Sequence, residues 1–378
     1  MRYRKTLNSV LLKPAGPDCN MDCSYCFYLK KKSLFKQKVP RMSEKIMHDT
    51  IRQVMDSDNQ IVNFSWQGGE PSLLGISFFE KAVSYQQLYR KPGQAVINGF
   101  QTNGLLINHE WGRFFSDNKF LVGLSLDGPQ HIHDRYRRLK GGQPGWDRVC
   151  QARDVLSENN VAVNVLSVVN DYSVGFPEEI YDFLKANKLI HMQFIPCLEF
   201  EAEDRDRIAP YSVKSRDYGE FLCRLFDKWL DDFSNGLPTT FIGFFDSVLH
   251  TYIGEHPPEC TLLEECGLYI VVEFNGNVYS CDFFVDEENY LGNIEDDKLN
   301  NLLNSEKHYL FGEEKRKLPE ECLSCPWLIH CRGGCPKDRI VNSTNQKASY
   351  FCESFKMFFN HADPTLKKIA DRWLGTSR

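Results

Sequence analysis

The chain has 378 residues, 42% of them hydrophobic and 25% charged, with 45 Lys and Arg against 51 Asp and Glu for a net charge of −6. This composition excludes a disordered chain, and the mildly acidic balance argues against nucleic-acid or anionic-membrane partners. Nothing approaches the ~18 apolar residues of a membrane span.

The length suits two or three domains, or one barrel-sized domain with an appendage. The basic start Arg2-Tyr3-Arg4-Lys5 is followed only by Val10-Leu11-Leu12 before Lys13. That run is too short for a secretion signal, so the protein is expected in the cytoplasm. Fourteen cysteines are the outlier. A reducing compartment does not favour disulfides, and cysteines there are most often metal ligands.

In chain order, strands are expected at Asn8–Lys13, Ile61–Trp66, Val96–Thr102, Phe120–Leu126, Val161–Val169 and His191–Ile195, each rich in β-branched or aromatic residues and bounded by turn formers. Helices are expected between them at Ser43–Met55, Ser77–Tyr89, Glu110–Asn118, Trp146–Glu158 and Pro177–Asn187, with Ser43 and Ser77 as N-caps. Alternating βα units predict a parallel sheet with right-handed crossovers. Six units suit a partial (β/α)6 TIM-like barrel better than a complete eight-fold one. Gly-rich and polar segments follow the strand ends, and that rim is where such barrels bind ligands.

From Pro210 to Leu249 the chain reads as a helical linker, with Phe221, Leu225, Phe226 and Trp229 at a spacing that suits core packing. Past Glu255 cysteines become dense and strands short (Tyr269–Glu273, Val278–Tyr279), as in a small domain tied by metal. A last helix is expected at Asp363–Leu374. The division is thus 1–235 barrel, 236–259 helical linker, 260–355 cysteine-rich domain and 356–378 C-terminal helix.

Cys19, Cys23 and Cys26 form CxxxCxxC after the first strand. A structural zinc site or an ordinary Fe–S cubane uses four protein ligands, whereas only three are local here. A cubane on three cysteines keeps one iron open to substrate or cofactor. With Tyr25 before the third cysteine, and Gly68-Gly69-Glu70-Pro71 after the second strand, the pattern resembles the radical S-adenosylmethionine (SAM) superfamily. That resemblance implies SAM chelated on the open iron, the GGE motif meeting its amino group, and reductive release of a 5′-deoxyadenosyl radical. A barrel cavity would shield such a radical from solvent.

The second array is Cys260-x5-Cys266-x9-Gly276-x4-Cys281, then Cys322-x2-Cys325-x5-Cys331-x3-Cys335, then Cys352. Eight cysteines suit two four-cysteine sites, either two cubanes or two zinc ions. The CX9GX4C and CX2CX5CX3C elements resemble the SPASM domain of peptide-modifying radical SAM enzymes. By that resemblance Cys260, Cys266, Cys281 and Cys335 hold one auxiliary [4Fe–4S] cluster, and Cys322, Cys325, Cys331 and Cys352 the other. Three cysteines remain. Cys150 and Cys223 fall in helical stretches as ordinary buried thiols. Cys197 lies on the rim, where it can line the cavity.

Finer motifs are Lys13-Pro14-Ala15-Gly16, Cys26-Phe27-Tyr28, Trp66-Gln67-Gly68-Gly69-Glu70-Pro71, Phe100-Gln101-Thr102-Asn103-Gly104, Leu121–Pro129, Gln193-Phe194-Ile195-Pro196 and Tyr279-Ser280-Cys281-Asp282-Phe283-Phe284. Together they resemble the anaerobic sulfatase-maturating enzymes over nearly the whole chain. The resemblance implies three [4Fe–4S] clusters and SAM. The activity implied is oxidation of a sulfatase Cys or Ser to Cα-formylglycine, begun by radical removal of a Cβ hydrogen. Tyr25, Gly69, Glu70, Ser125, Arg137 and Leu198 match SAM contacts, Asp282 the catalytic base, and Tyr28 and Gln67 possible substrate contacts. Arg137 is preferred over its neighbour Arg138, although such a run also reads as a solvated charged face. Asp282 also reads as a turn or cap residue. The implied partners are an unfolded or nascent sulfatase polypeptide and an external electron donor such as flavodoxin or ferredoxin. The alternatives are another SPASM maturase that forms thioether or carbon–carbon crosslinks, and a zinc-stabilised binding protein.

Overall fold

The computed structural model describes residues 4–201, 207–341 and 346–376. Its strands are β1 (Ser9–Lys13), β2 (Ile61–Trp66), β3 (Ala95–Thr102), β4 (Leu121–Ser125), β5 (Ala162–Val169), β6 (His191–Pro196), β7 (Phe241–Ile242), β8 (Ile270–Glu273), β9 (Asn277–Tyr279), β10 (Tyr290–Asn293), β11 (Arg339–Val341) and β12 (Lys347–Ser349). Two compact units result. One comprises Met1–Leu126, Asp134–Asn164 and Gly267–Phe311, the other Asp127–His133, Val165–Cys266 and Gly312–Arg378. No helix among the described residues is long and apolar enough to cross a membrane.

In the first unit the strand order is β10-β9-β8-β1-β2-β3-β4. The pairs β1–β2, β2–β3, β3–β4 and β1–β8 are parallel. Registration aligns Val272, Leu12, Trp66, Phe100 and Val122 in one row across five strands, and all five are buried. Because side chains alternate along a strand, this face carries the apolar set. Met47, Ile51, Val54, Phe79, Trp111 and Phe115 from the surrounding helices join it in one core, each such side chain contributing roughly 1.5–3 kcal/mol by leaving water. Across β2, β3 and β4 the opposite face carries Ser65, Gly99, Gln101, Gly123 and Ser125, all half-exposed, while on β1 and β8 it carries Leu11 and Val271, buried with Tyr279 and Val285. The small, polar stretch over β2–β4 has room beside it for a ligand.

The expected β1–β6 and their helices are present within a residue or two at most boundaries. Ser43 caps its helix (Glu44–Met55) by accepting a hydrogen bond from Ile46 N at 3.2 Å. Ser77 does not cap the next helix, which runs Ile76–Tyr89 with Gly75 at the N-cap position. A 3-10 turn over Pro71–Leu74 ends at that glycine, whose φ of 77° suits no other residue well. The parallel pairing of β8 with β1 is not apparent from chain order. All four β8 residues are buried, so this strand needs a neighbour on each side.

The second unit pairs β5, β6 and β7 in parallel and β11 with β12 antiparallel. The expected linker is two helices, Ser215–Asp231 and Gly243–Tyr252, separated by β7. Its aromatic stripe is core: Phe226 meets Phe245 at 5.3 Å and Phe358 at 5.6 Å between ring centroids. The last helix spans Cys352–Thr376, not Asp363–Leu374. Pro364 reads as a helix start in the sequence. Burial of Phe358, Phe359 and Ala362 instead carries the helix through the proline.

Candidate functional site

Cys19, Cys23 and Cys26 lie in the loop after β1, all partly accessible. The Gly68–Glu70 turn after β2 is stitched to this loop. Gly69 N donates to Gly16 O at 2.7 Å and Glu70 N to Asp18 O at 2.9 Å. A Cβ on Gly69 would sit 1.9 Å from Asp18 O, so only glycine permits this approach. Gly69→Ala is expected to cost about 1–3 kcal/mol. Unchanged thermal denaturation would show that the loop yields freely.

Glu70 is wholly buried, and burial pushes its carboxyl up. Oε1 accepts from Ser72 N (3.0 Å), Ser72 Oγ (2.6 Å) and Thr102 Oγ1 (2.8 Å), and Oε2 from Asn103 N (2.8 Å). Glu70 therefore locks the end of β3 to the GGE turn. Asn103, not singled out by the sequence, donates to Cys19 Sγ at 3.5 Å and to Asn20 Oδ1 at 2.7 Å. Such hydrogen bonds tune thiolate ligands. Burial, then Glu70, pushes the Cys19 thiol up to about 12. Holding it as a thiolate requires a positive partner such as iron.

Tyr25 and Arg137 are buried together, with the guanidinium 5.5 Å from the tyrosine ring centroid. Arg135 is exposed, and Arg138 reaches Gly142 O at 3.3 Å. The buried member of the run is thus the one suited to a carboxylate. Ser125, at the end of β4, accepts from Gln101 Nε2 at 3.0 Å. In the second unit Leu198 follows β6, is buried, and its carbonyl accepts from Lys337 Nζ at 2.8 Å. Cys197 beside it is buried, as is Cys150, whereas Cys223 is partly exposed.

Asp282 is buried in the first unit, next to Cys281. Its Oδ1 accepts from Tyr269 Oη at 3.1 Å and lies 3.4 Å from Cys281 Sγ. Among the described residues Oδ2 has no protein partner, which leaves one oxygen to receive a proton. Beneath it, Lys13 Nζ lies 3.5 Å from the Asp282 carbonyl and 3.6 Å from the Tyr28 ring centroid. Tyr28 is interior, its hydroxyl donating to Glu273 Oε1 at 2.5 Å. Gln67 is half-exposed, and its backbone N–H donates to Leu12 O at 2.9 Å. The sequence presents Lys13 only as a strand end and part of the motif Lys13-Pro14-Ala15-Gly16 and Glu273 only as a strand end, and it pairs neither with the other.

Glu273 Oε2 is buried without a hydrogen-bond partner, and burial holds the carboxyl up at about 7 against the opposing pull of Lys13 and Tyr28. The folded chain keeps this proton between the ordinary value of 4.5 and about 7, where the unfolded chain has lost it. Stability therefore falls as pH rises through that window and levels off above it. Glu273→Gln should flatten the dependence and raise stability near pH 8 by on the order of 1–3 kcal/mol. Parallel pH profiles of the melting temperature for parent and variant would refute this.

None of the fourteen cysteines forms a disulfide. In the second unit Cys322, Cys325, Cys331 and Cys352 line one pocket, walled also by Trp327, Leu328 and Phe355. Burial raises the thiols of Cys322, Cys331 and Cys352. Cys335 is pushed up to about 12 by burial, with Asp338, Cys260 and Cys266 adding to it. The four pocket cysteines match one expected set, and Cys260, Cys266 and Cys335 share a neighbourhood. Among the described residues no three His, Cys, Asp or Glu side chains converge as one metal ion requires. A zinc ion holds its sulfurs at about 2.3 Å, whereas a cubane spreads four thiolates around a larger cage. Four sulfurs in one pocket, with Trp327, Leu328 and Phe355 as its apolar wall and Glu321 and Lys356 beside them, fit the cubane.

Comparison with known proteins agrees with this geometry. The radical SAM superfamily model matches residues 14–189, and an iron–sulfur cluster-binding domain matches residues 265–326. The chain is 37% identical to the serine-type anaerobic sulfatase-maturating enzyme of Bacteroides thetaiotaomicron, over 94% of this chain and 89% of that protein. It is 36% identical to the cysteine-type enzyme of Clostridium perfringens, over 96% and 98%. A solved structure described as native anSMEcpe with bound AdoMet and Cp18Cys peptide is similar at TM-score 0.88 and 35% identity, over 96% of this chain and 99% of that one. Streptococcus suis SuiB bound to precursor peptide SuiA shares the fold, at TM-score 0.61 and 16% identity, over 87% and 72%. The expected α/β fold, a radical SAM barrel with an iron–sulfur domain, is the one these chains share, and this chain belongs to the anaerobic sulfatase-maturating enzymes, a family of radical SAM oxidoreductases.

Proposed function

We propose that this chain oxidises one Cys or Ser of a sulfatase polypeptide to Cα-formylglycine in the cytoplasm, with Asp282 as the base. Its cofactors are three [4Fe–4S] clusters and SAM. Cys19, Cys23 and Cys26 hold the SAM-binding cluster. Cys260, Cys266, Cys281 and Cys335 hold one auxiliary cluster, and Cys322, Cys325, Cys331 and Cys352 the other. The corresponding regions are 1–235, 236–259, 260–355 and 356–378. Bound there, the clusters and SAM supply a 5′-deoxyadenosyl radical and electron transfer, fed by an external donor such as flavodoxin or ferredoxin.

What the polypeptide contributes is position and proton handling. Gly69 lets the GGE turn approach the cysteine loop. Tyr25, Ser125, Arg137 and Leu198 hold SAM, with the guanidinium on its carboxylate, while Glu70 secures the turn that meets its amino group. After loss of a Cβ hydrogen, the target must lose one electron and one proton; a serine then gives the aldehyde, while a cysteine gives a thioaldehyde that water converts to formylglycine with release of hydrogen sulfide. Asp282 Oδ2 takes the thiol or hydroxyl proton, while Tyr269 keeps the carboxylate oriented through Oδ1. Gln67 borders the substrate directly, and Tyr28 supports it from the interior. The observation that carries this reading is a buried carboxylate beside Cys281 with one oxygen unpaired among the described residues. The test is to incubate reduced enzyme with SAM and matched Cys and Ser sulfatase peptides. Aldehyde should form in proportion to methionine and 5′-deoxyadenosine. A crosslinked peptide, or SAM cleavage without aldehyde, would overturn the assignment.

A further inference from the structure

The second unit holds two cations, Lys315 buried and Arg339 half-buried, whose hydrogen bonds among the described residues all end on backbone carbonyls. Lys315, 1% exposed, donates to Cys260 O at 2.6 Å and Thr261 O at 2.8 Å. Arg339, on β11, donates to Lys315 O at 2.7 Å, Lys317 O at 3.2 Å, and Glu314 O and Gly333 O at 3.3 Å. Gly333 lies inside Cys331-x3-Cys335, between a ligand of one expected set and a ligand of the other. Among the described residues neither cation has a carboxylate within ion-pairing distance. An interior charge without a counter-charge is costly. Both rest on the cysteine-bearing backbone: Lys315 on the carbonyl of Cys260 itself, and Arg339 on that of Gly333, between Cys331 and Cys335.

We propose that Lys315 and Arg339 are the built-in counter-charges of the auxiliary clusters and set their reduction potentials, Lys315 acting on the Cys260/Cys266/Cys335 set and Arg339 on both sets. This rests on the reading that these cysteines hold iron–sulfur clusters. A thiolate-ligated cluster is anionic and gains a further negative charge on reduction, so a nearby cation favours the reduced form and raises the potential. Burial of Lys315 keeps that effect from being screened, and the half-buried position of Arg339 reduces the screening there. Both residues are positioning and tuning groups, not catalytic ones.

The test uses the full chain, reconstituted anaerobically, in a Cys19→Ala/Cys23→Ala/Cys26→Ala background so that only auxiliary clusters contribute to EPR-monitored redox titration. Arg339→Gln retains amide donors for the carbonyls but removes the charge. It should lower both midpoints by about tenfold in the reduction equilibrium, about 59 mV for one electron. Lys315→Gln should lower one midpoint only, and Arg339→Lys should keep both near the parent. Unmoved midpoints at full iron and sulfide content would overturn the proposal and leave the cluster assignment intact, and so would equal shifts from Lys315→Gln. A parent background without auxiliary iron would overturn both. Should one neutral variant fail to bind iron, the other decides, since the two differ in how many midpoints they must move.

Discussion

Asp282→Asn is expected to retain all bound iron and to go on cleaving SAM, while aldehyde formation falls by about 10²–10⁴-fold. Asparagine matches aspartate in shape, so its carbonyl oxygen still accepts from Tyr269, now 3.1 Å from Oδ1. What it lacks is a carboxylate oxygen able to take the proton released as the target is oxidised. The signature is therefore uncoupling, with 5′-deoxyadenosine accumulating in excess of formylglycine. Mass analysis of the peptide, chromatography of the nucleoside and iron counting on the same sample read all three quantities. Full aldehyde yield from the variant would remove Asp282 from the role of base. Loss of iron together with activity would show instead that the residue serves cluster binding through its neighbour Cys281.

The second large effect separates the cysteine sets. Cys23→Ala leaves two thiolates in the loop after β1, too few to keep a cubane with one open iron. SAM cleavage should fall to background, with auxiliary iron retained. Cys331→Ala removes a sulfur from the pocket also lined by Cys322, Cys325 and Cys352. It should lose one cluster's worth of iron and one EPR component, with SAM cleavage in the absence of peptide persisting. Persistent SAM cleavage by Cys23→Ala would mean that the radical starts elsewhere. Equal damage from both substitutions would mean that the sets are not independent.

The parts of the site that were legible in the sequence are those whose meaning is local. Three cysteines within one loop can be read from spacing alone, because a short loop keeps its thiolates close whatever the rest of the chain does. The same holds for the GGE turn, where Gly69 is required by a backbone contact of 1.9 Å to a hypothetical Cβ. It holds for β2, where alternation of Val62, Phe64 and Trp66 with polar residues records one buried face. Helix starts were less secure. Ser43 caps and Ser77 does not, since the preceding 3-10 turn, invisible to a capping rule, settles where the second helix begins.

By itself the sequence determined the order of βα units and the two cysteine arrays. Only the tertiary structure decided that β8 lies parallel to β1, that Tyr28 turns inward to Glu273, and that Lys315 and Arg339 rest on carbonyls near the cysteines. Local periodicity records whether a side chain is buried, but not which distant segment buries it. Charged groups far apart in the chain acquire their partners only when packing closes water out around them.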